Sequence, residues 1–348
     1  MTYEDGWQTL PTIPTADLHR DWQISGTNST LSSGLDPTAV TRAIIVTGGK
    51  ARDTWSYWID FRNILSYAAS SDPSIDDSTI SILGPVFFSD VDITAGAAKS
   101  TNQLYWSKTG WFEGTYAEGD AENDKISSFQ VIDEMVEHYT DRKVYPNLKT
   151  VIFASHSAGA QFVQRYAAMR IPTKDDDMLH FIAANSGSFL WLVEDRPVAA
   201  DVTCTDVDRY KYGLTTGFPG YSTGDTNKIG REGIVERFRG RNVHYAQGTA
   251  DEQAGDSSCQ ANTQGPTHLA RGENFIDMLN ANGGMPANHT MDWIAGAAHD
   301  NPPMYNSTAL RTRLFKDATI ASSGTRPARR KREPVPRLRY LRKTHELD

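Results

Sequence analysis

Cysteine is scarce: 348 residues contain only Cys204 and Cys259. Two cysteines are too few for a disulfide scaffold, and they lack metal-ligand spacing. Either one bridge or two thiols is compatible with that count. Long hydrophobic runs are absent as well. No segment approaches the roughly 18–20 consecutive apolar residues of a membrane span, so no membrane span is expected. The first residues, Met-Thr-Tyr-Glu-Asp-Gly-Trp, show neither a basic n-region nor an apolar h-region, and no signal peptide is visible. Three Asn-X-Ser/Thr sequons, at Asn28, Asn288 and Asn306, fit passage through a secretory pathway. These two signals point in opposite directions and leave the compartment open. Nothing in the sequence indicates an oligomeric state, and there is no internal repeat.

Positive charge is sparse except at one end. The formal net charge is −8, yet Ser322 to Asp348 carries nine Lys and Arg against three Asp and Glu. The rest of the chain is therefore near −14, which argues against nucleic acid as the partner of the main domain. The segment 321–348, with Arg329-Arg-Lys-Arg332 and several prolines, is expected to be a basic, disordered tail. The preceding 320 residues are expected to form a single domain.

What the chain does have is an alternation of short apolar runs with helical periodicity. Strands are expected at 42–49, 80–88, 147–154, 181–185, 242–247 and 290–297. Helices are expected from Asp53 to about Ala69, at 127–138, 158–169 and 268–279, and from Ser307 to Ile320. Such an order implies an α/β fold, a mostly parallel sheet with helices on both faces. Two stretches, 89–124 and 186–240, fit neither element. The second is expected to form a cap-like insertion. Trp106, Trp111 and Trp191 lie in these stretches, either lining a pocket or packing the insertions onto the body.

The segment Val151–Tyr166 carries the strongest chemical signal. An apolar strand runs into Ser155-His156-Ser157-Ala158-Gly159 and then directly into a helix. Small residues around a central serine at a sharp strand-to-helix turn make a nucleophile elbow. A nucleophilic serine needs a base, and the base needs an orienting carboxylate. Asp251 follows the strand Val243–Gln247 through a turn, with Glu252 and Asp256 as alternatives. His299 follows a strand through Gly296-Ala297-Ala298. Among other histidines, His156 lies beside the serine but should point elsewhere, His244 is inside a strand, His268 is in a helix and His289 precedes a strand. Chain order and element context together select Ser157, Asp251 and His299 as the catalytic set. For an oxyanion hole, the N–H of Ala158 is one expected donor. The second is Lys50, with Gly49 as the fallback, in the glycine-rich loop after the first strand. Arg52 and Asp53 are expected to brace that loop by ion pairing.

With these motifs in view, the chain resembles the α/β-hydrolase superfamily, and more narrowly a group of fungal and bacterial esterases of uncertain substrate. The matching segments are Gly48-Gly49-Lys50-Ala51-Arg52-Asp53, Gln247-Gly248-Thr249-Ala250-Asp251, Ser258 to Gly265 around Cys259, and Gly296-Ala297-Ala298-His299-Asp300. The resemblance covers roughly residues 40 to 320. It departs at two places: Gly48 stands where the group has histidine, and Ser155 stands where the elbow usually has glycine. It implies a Cys204–Cys259 bridge tying the insertion to the loop after the acid. It also implies hydrolysis of a small-molecule carboxylic ester, with no metal or organic cofactor. An amidase or peptidase with the same triad, or a non-catalytic binding protein on this scaffold, are the rival readings.

Overall fold

Strands buried on both faces are mostly apolar, and the runs above keep their centres so, with buried polar residues such as His156, His244 and Asp292 placed among them. In the computed structural model they pair as one parallel sheet. Side chains are described for residues 35–96, 104–118 and 125–328, and the backbone also for the short antiparallel pair Trp7–Thr9 and Gln23–Ser25. The sheet strands are β1 (Arg42–Thr47), β2 (Ile80–Leu83), β3 (Thr150–His156), β4 (Leu179–Ala184), β5 (Asn242–Gly248) and β6 (His289–Ile294). Their spatial order is β6-β5-β4-β3-β1-β2, every neighbouring pair parallel.

Alternation along each strand divides the apolar residues between two cores. Ala43 and Ile45, Val151 and Phe153, and Phe181 and Ala183 face one layer. Ile44 and Val46, Ile152 and Ala154, and Ile182 and Ala184 face the other. The first layer is covered by α2 (Ser128–Thr140), α3 (Ala158–Met169), α4 (Thr223–Arg239) and α5 (His268–Ala281). The second is covered by α1 (Thr54–Ser71), α6 (Asn301–Tyr305) and α7 (Thr308–Phe315). Helix α3 is buried along its whole length, and Phe162 on it packs against Phe87, Phe129 and Phe153. This pins the helix that starts at the elbow. No helix among the described residues is long and apolar enough to cross a membrane.

Several elements differ from expectation. Helix α4 lies inside the stretch expected to be irregular. Its sequence is polar, it buries only Thr226, Ile234 and Phe238, and it kinks at Gly230 (φ 64°), so its periodicity is weak. The strand expected to run through residue 88 stops at Leu83; Phe88–Ser89 pairs instead with Tyr105–Trp106. The last helix ends at Phe315, and α6 starts with prolines at positions where the missing N–H costs nothing. Ser323 hydrogen-bonds β6 and Arg326 pairs with Glu273 and Asp277, so the described chain stays docked beyond residue 320. The run Arg329 to Arg332 and the sequon at Asn28 lie outside the described residues.

The insertion packs onto the body. Phe189, Leu190, Trp191 and Leu192 join the first core layer, and Cys204 is bonded to Cys259. The bridge spans 55 residues of sequence. Closing a loop of that length restricts the unfolded chain, and Cys204→Ser with Cys259→Ser is expected to lower stability by about 2–4 kcal/mol. Urea unfolding of the double variant measures this; an unchanged midpoint would mean that the bridge constrains nothing.

Candidate active site

Between β3 and α3 one residue must reverse the chain. Ser157 does so with φ 61° and ψ −122°, a conformation costing a non-glycine residue about 1–3 kcal/mol. Its N–H donates to the Ala184 carbonyl at 3.0 Å, which fixes the turn against β4. The two small neighbours explain each other. The Ser155 hydroxyl, fully buried where a glycine is usual, donates to the Thr47 carbonyl at 2.6 Å. A Cβ on Gly159 would then lie 1.8 Å from that hydroxyl and 2.7 Å from the Gly48 carbonyl oxygen. Only glycine fits there.

The other two candidates arrive on adjacent strand ends. His299 Nε2 is 2.9 Å from Ser157 Oγ, and His299 Nδ1 is 2.8 Å from Asp251 Oδ2. The loops that carry them are clipped together. The Ala250 N–H donates to the Ala297 carbonyl at 2.9 Å, and the Gly296 N–H to Thr249 Oγ1 at 2.8 Å. Gly248 permits this approach, since a Cβ there would sit 2.4 Å from the Ala297 oxygen. Neither Glu252 nor Asp256 takes the place of Asp251; Asp256 instead accepts hydrogen bonds from Ser188, Tyr212 and Ser258.

Asp251 is fully buried. Burial alone would push its carboxyl upward, but hydrogen bonds from His268 and His299 outweigh that and hold it down at about 2. The carboxylate is therefore ionised at any ordinary working pH. Its stabilising effect is complete above the unfolded carboxyl's value near 4 and is lost as pH falls toward 2. His156 lies 4.5 Å from the His299 ring, centroid to centroid, and makes long contacts to Tyr57 (3.4 Å) and Asn185 (3.3 Å). Burial and the nearby His299 push it down to about 3, so it stays neutral.

Two residues outside the expected set hold this centre together. Asn185, at the end of β4 with φ 47°, donates to the Ala298 carbonyl and accepts from the Gly248 N–H and the Gln247 side chain. It thus ties both partner loops to the strand beside the elbow. His268, the first residue of α5, donates its Nδ1–H to Asp251 Oδ1 at 3.1 Å and stacks on His299 with centroids 4.0 Å apart. A helical histidine far along the chain gives no sequence signal for this contact.

The loop after β1 closes the other side. The Gly48 N–H donates to Thr54 Oγ1 at 2.9 Å, and a Cβ at residue 48 would fall 2.8 Å from the backbone nitrogens of Asp53 and Thr54. This loop shape has no room for the histidine of the related pattern. A Cβ on Gly49 would lie 3.8 Å from Ser157 Cβ, which puts that backbone beside the serine. Arg52, with φ 60°, donates to the Lys50 carbonyl at 3.0 Å and pairs with Asp92 at 2.9 Å. Asp53 occupies the N-cap of α1 without a side-chain cap hydrogen bond. Gly49, Lys50, Ser157 and His299 border one cleft of about 400 Å3. The first N–H of α3, on Ala158, has no acceptor within its own helix and sits at the positive end of the helix dipole.

No protein-family model and no curated protein sequence matches the chain. Solved structures do. LpqC, a poly(3-hydroxybutyrate) depolymerase from Bordetella parapertussis, superposes with a TM-score of 0.55 at 18% identity, covering 88% of each chain. Poly(aspartic acid) hydrolase-1 from Sphingomonas sp. KT-1 gives 0.54 at 20% identity, over 86% of this chain and 95% of that one. The chain has the α/β-hydrolase fold.

Within this α/β-hydrolase fold the three tryptophans are buried in the first core layer, and none borders the Ser157 cleft; they pack the insertions. The cleft walls come from the loop after β1, helix α1 and residues 299–302, with none from the insertion among the described residues. Asp251, His268 and His299 offer ligand atoms within 4.8 Å of one another. The hydrogen bonds already given account for that closeness. Asn288 and Asn306 are exposed.

Proposed function

We propose that this protein is a serine hydrolase that cleaves carboxylic esters through an acyl-enzyme. The observation that carries the reading is the continuous line from Ser157 Oγ through His299 to Asp251, set on a strained turn. His299 Nε2 takes the hydroxyl proton as Ser157 Oγ attacks the carbonyl carbon. Asp251 fixes the tautomer with a proton on Nδ1 and stabilises the imidazolium that forms. The N–H of Ala158, and that of Lys50 or Gly49, receive the oxyanion. His299 then protonates the leaving alcohol, the C–O bond breaks, and the acyl group remains on Ser157. Water, deprotonated by His299, attacks the acyl carbon; the acid departs and the serine is restored. All groups are supplied by the chain itself.

The cleft favours uncharged, hydrophilic esters. Asp53, Asp60 and Asp300 border it against Lys50, the one Lys or Arg lining it among the described residues. Burial raises the Asp60 carboxyl; the hydrogen bond from Asn301 opposes the rise, and Asp300 and Asp53 add to it. Each carboxylate not offset by Lys50 is worth roughly 1 kcal/mol at this range against an anionic substrate, or about fivefold to tenfold. The test is kcat/KM for short neutral esters, the same esters bearing a carboxylate, and the matching amides. Neutral esters are expected to lead the carboxylate-bearing ones by about tenfold, with amides slowest. Amides leading esters would move the reading to an amidase, and no turnover of any member would refute hydrolysis.

A further inference from the structure

Asp251 has two carboxylate oxygens, and both are engaged by imidazoles: Oδ2 by His299 at 2.8 Å and Oδ1 by His268 at 3.1 Å. The second imidazole is also fixed by its surroundings. His268 is buried, its N–H donates to the Gln253 carbonyl at 2.9 Å, and the next N–H, of Leu269, donates to the Asp251 carbonyl at 3.0 Å. The loop after the acid is thereby stitched to the start of α5. Gly255, with φ 64°, brings its backbone against the far edge of the ring, and a Cβ there would lie 2.1 Å from His268 Nε2. The ring is also stacked on His299 at an interplanar angle of 12°.

We infer that His268 is a positioning residue. It caps Asp251 Oδ1 as an Nδ1–H donor, holds the carboxylate in register with His299 and sets the basicity of that imidazole. The inference rests on the Ser157–His299–Asp251 reading above. During turnover His299 becomes an imidazolium. The ring of His268 lies 4.0 Å from that of His299, so what it does to Asp251 bears directly on the base. The titratable groups facing it are Asp251 on the loop after β5, His299 on the loop after β6 and His156 at the end of β3. By drawing charge from Asp251, the His268 donor weakens the pull of the carboxylate on the His299 proton. Without it His299 holds its proton more tightly, and the acidic limb of the kcat/KM profile moves to higher pH.

The test compares His268→Leu with His268→Asn, whose Nδ2 can take the place of the imidazole Nδ1. With a short p-nitrophenyl ester, His268→Leu is expected to lower kcat about 10–100-fold, with KM within about twofold, as loss of one hydrogen bond to a charged group would. Its acidic limb should rise by about 0.5–1 pH unit. His268→Asn should recover most of the rate and return the limb toward the wild type. A folded His268→Leu protein with unchanged kcat and profile overturns the inference, as does equal impairment of the two variants with an unmoved limb. Should His268→Leu fail to fold, His268→Gln replaces it. A Gln amide extends past the Nδ1 position, so Asn outperforming Gln supports the donor and equal rates refute it. Wild-type protein that neither turns over ester nor reacts at Ser157 would instead remove the underlying triad reading.

Discussion

Ser157→Ala is expected to lower kcat for a short p-nitrophenyl ester by on the order of 10^5-fold while leaving KM within a few-fold. The substitution removes a single oxygen. The backbone at φ 61° is already tolerated by a residue with a Cβ, and the turn remains held by the N–H donated to Ala184. His299 and Asp251 keep their mutual hydrogen bond. On the proposed mechanism the covalent route is lost, leaving only electrostatic help from the proposed oxyanion donors to an attack by water. The measurement is the steady-state rate with a thermal melt alongside. A variant that melts like the wild type and keeps more than about one per cent of its activity would exclude Ser157 as nucleophile.

The largest expected effect on stability lies elsewhere. Asp292→Ala should destabilise the protein by about 3–5 kcal/mol. Asp292 on β6 and Arg313 on α7 are both wholly buried, paired through Arg313 Nε at 2.5 Å and Nη2 at 3.2 Å. Arg313 also donates to the carbonyls of Ala318, Ile320 and Ala321, and Asp292 accepts from the Ser323 N–H and hydroxyl. Removing the carboxylate strands a buried guanidinium and frees the segment after α7. Removing both charges with Asp292→Ala and Arg313→Met takes away the stranded cation, so the double variant should be more stable than Asp292→Ala alone. Urea unfolding of the single and double variants measures both quantities. A single variant within 1 kcal/mol of the wild type would contradict this account of the pair.

Much of the architecture is legible in the chain because the burial pattern is one-dimensional. A strand buried on both faces carries a largely continuous apolar run, and β1 and β3 read that way in Ala43–Val46 and Val151–Ala154. The elbow is legible for the same reason, lying between such a strand and a fully buried helix. Asp251 and His299 could be placed because a parallel sheet puts successive strand ends on one edge, where they meet. Contacts that depend on two loops arriving together left no such trace. His268 looks like any residue at a helix start, and Asn185 like any residue after a strand. The meaning of Gly48 becomes clear only when the loop folds its backbone against Asp53 and Thr54. Helix α4 is hidden by its polar sequence and by Gly230; ion pairing by Arg52 is legible, but its partner Asp92, 40 residues away, is not.

The most direct measurement is covalent labelling of the intact protein with a fluorophosphonate, followed by peptide mass spectrometry. The probe reports an activated serine without any assumption about substrate. The arrangement of Ser157, His299 and Asp251 predicts one stoichiometric adduct, on Ser157, abolished in Ser157→Ala. An adduct on another residue, or none on folded protein, would contradict the assignment of this site as a serine hydrolase.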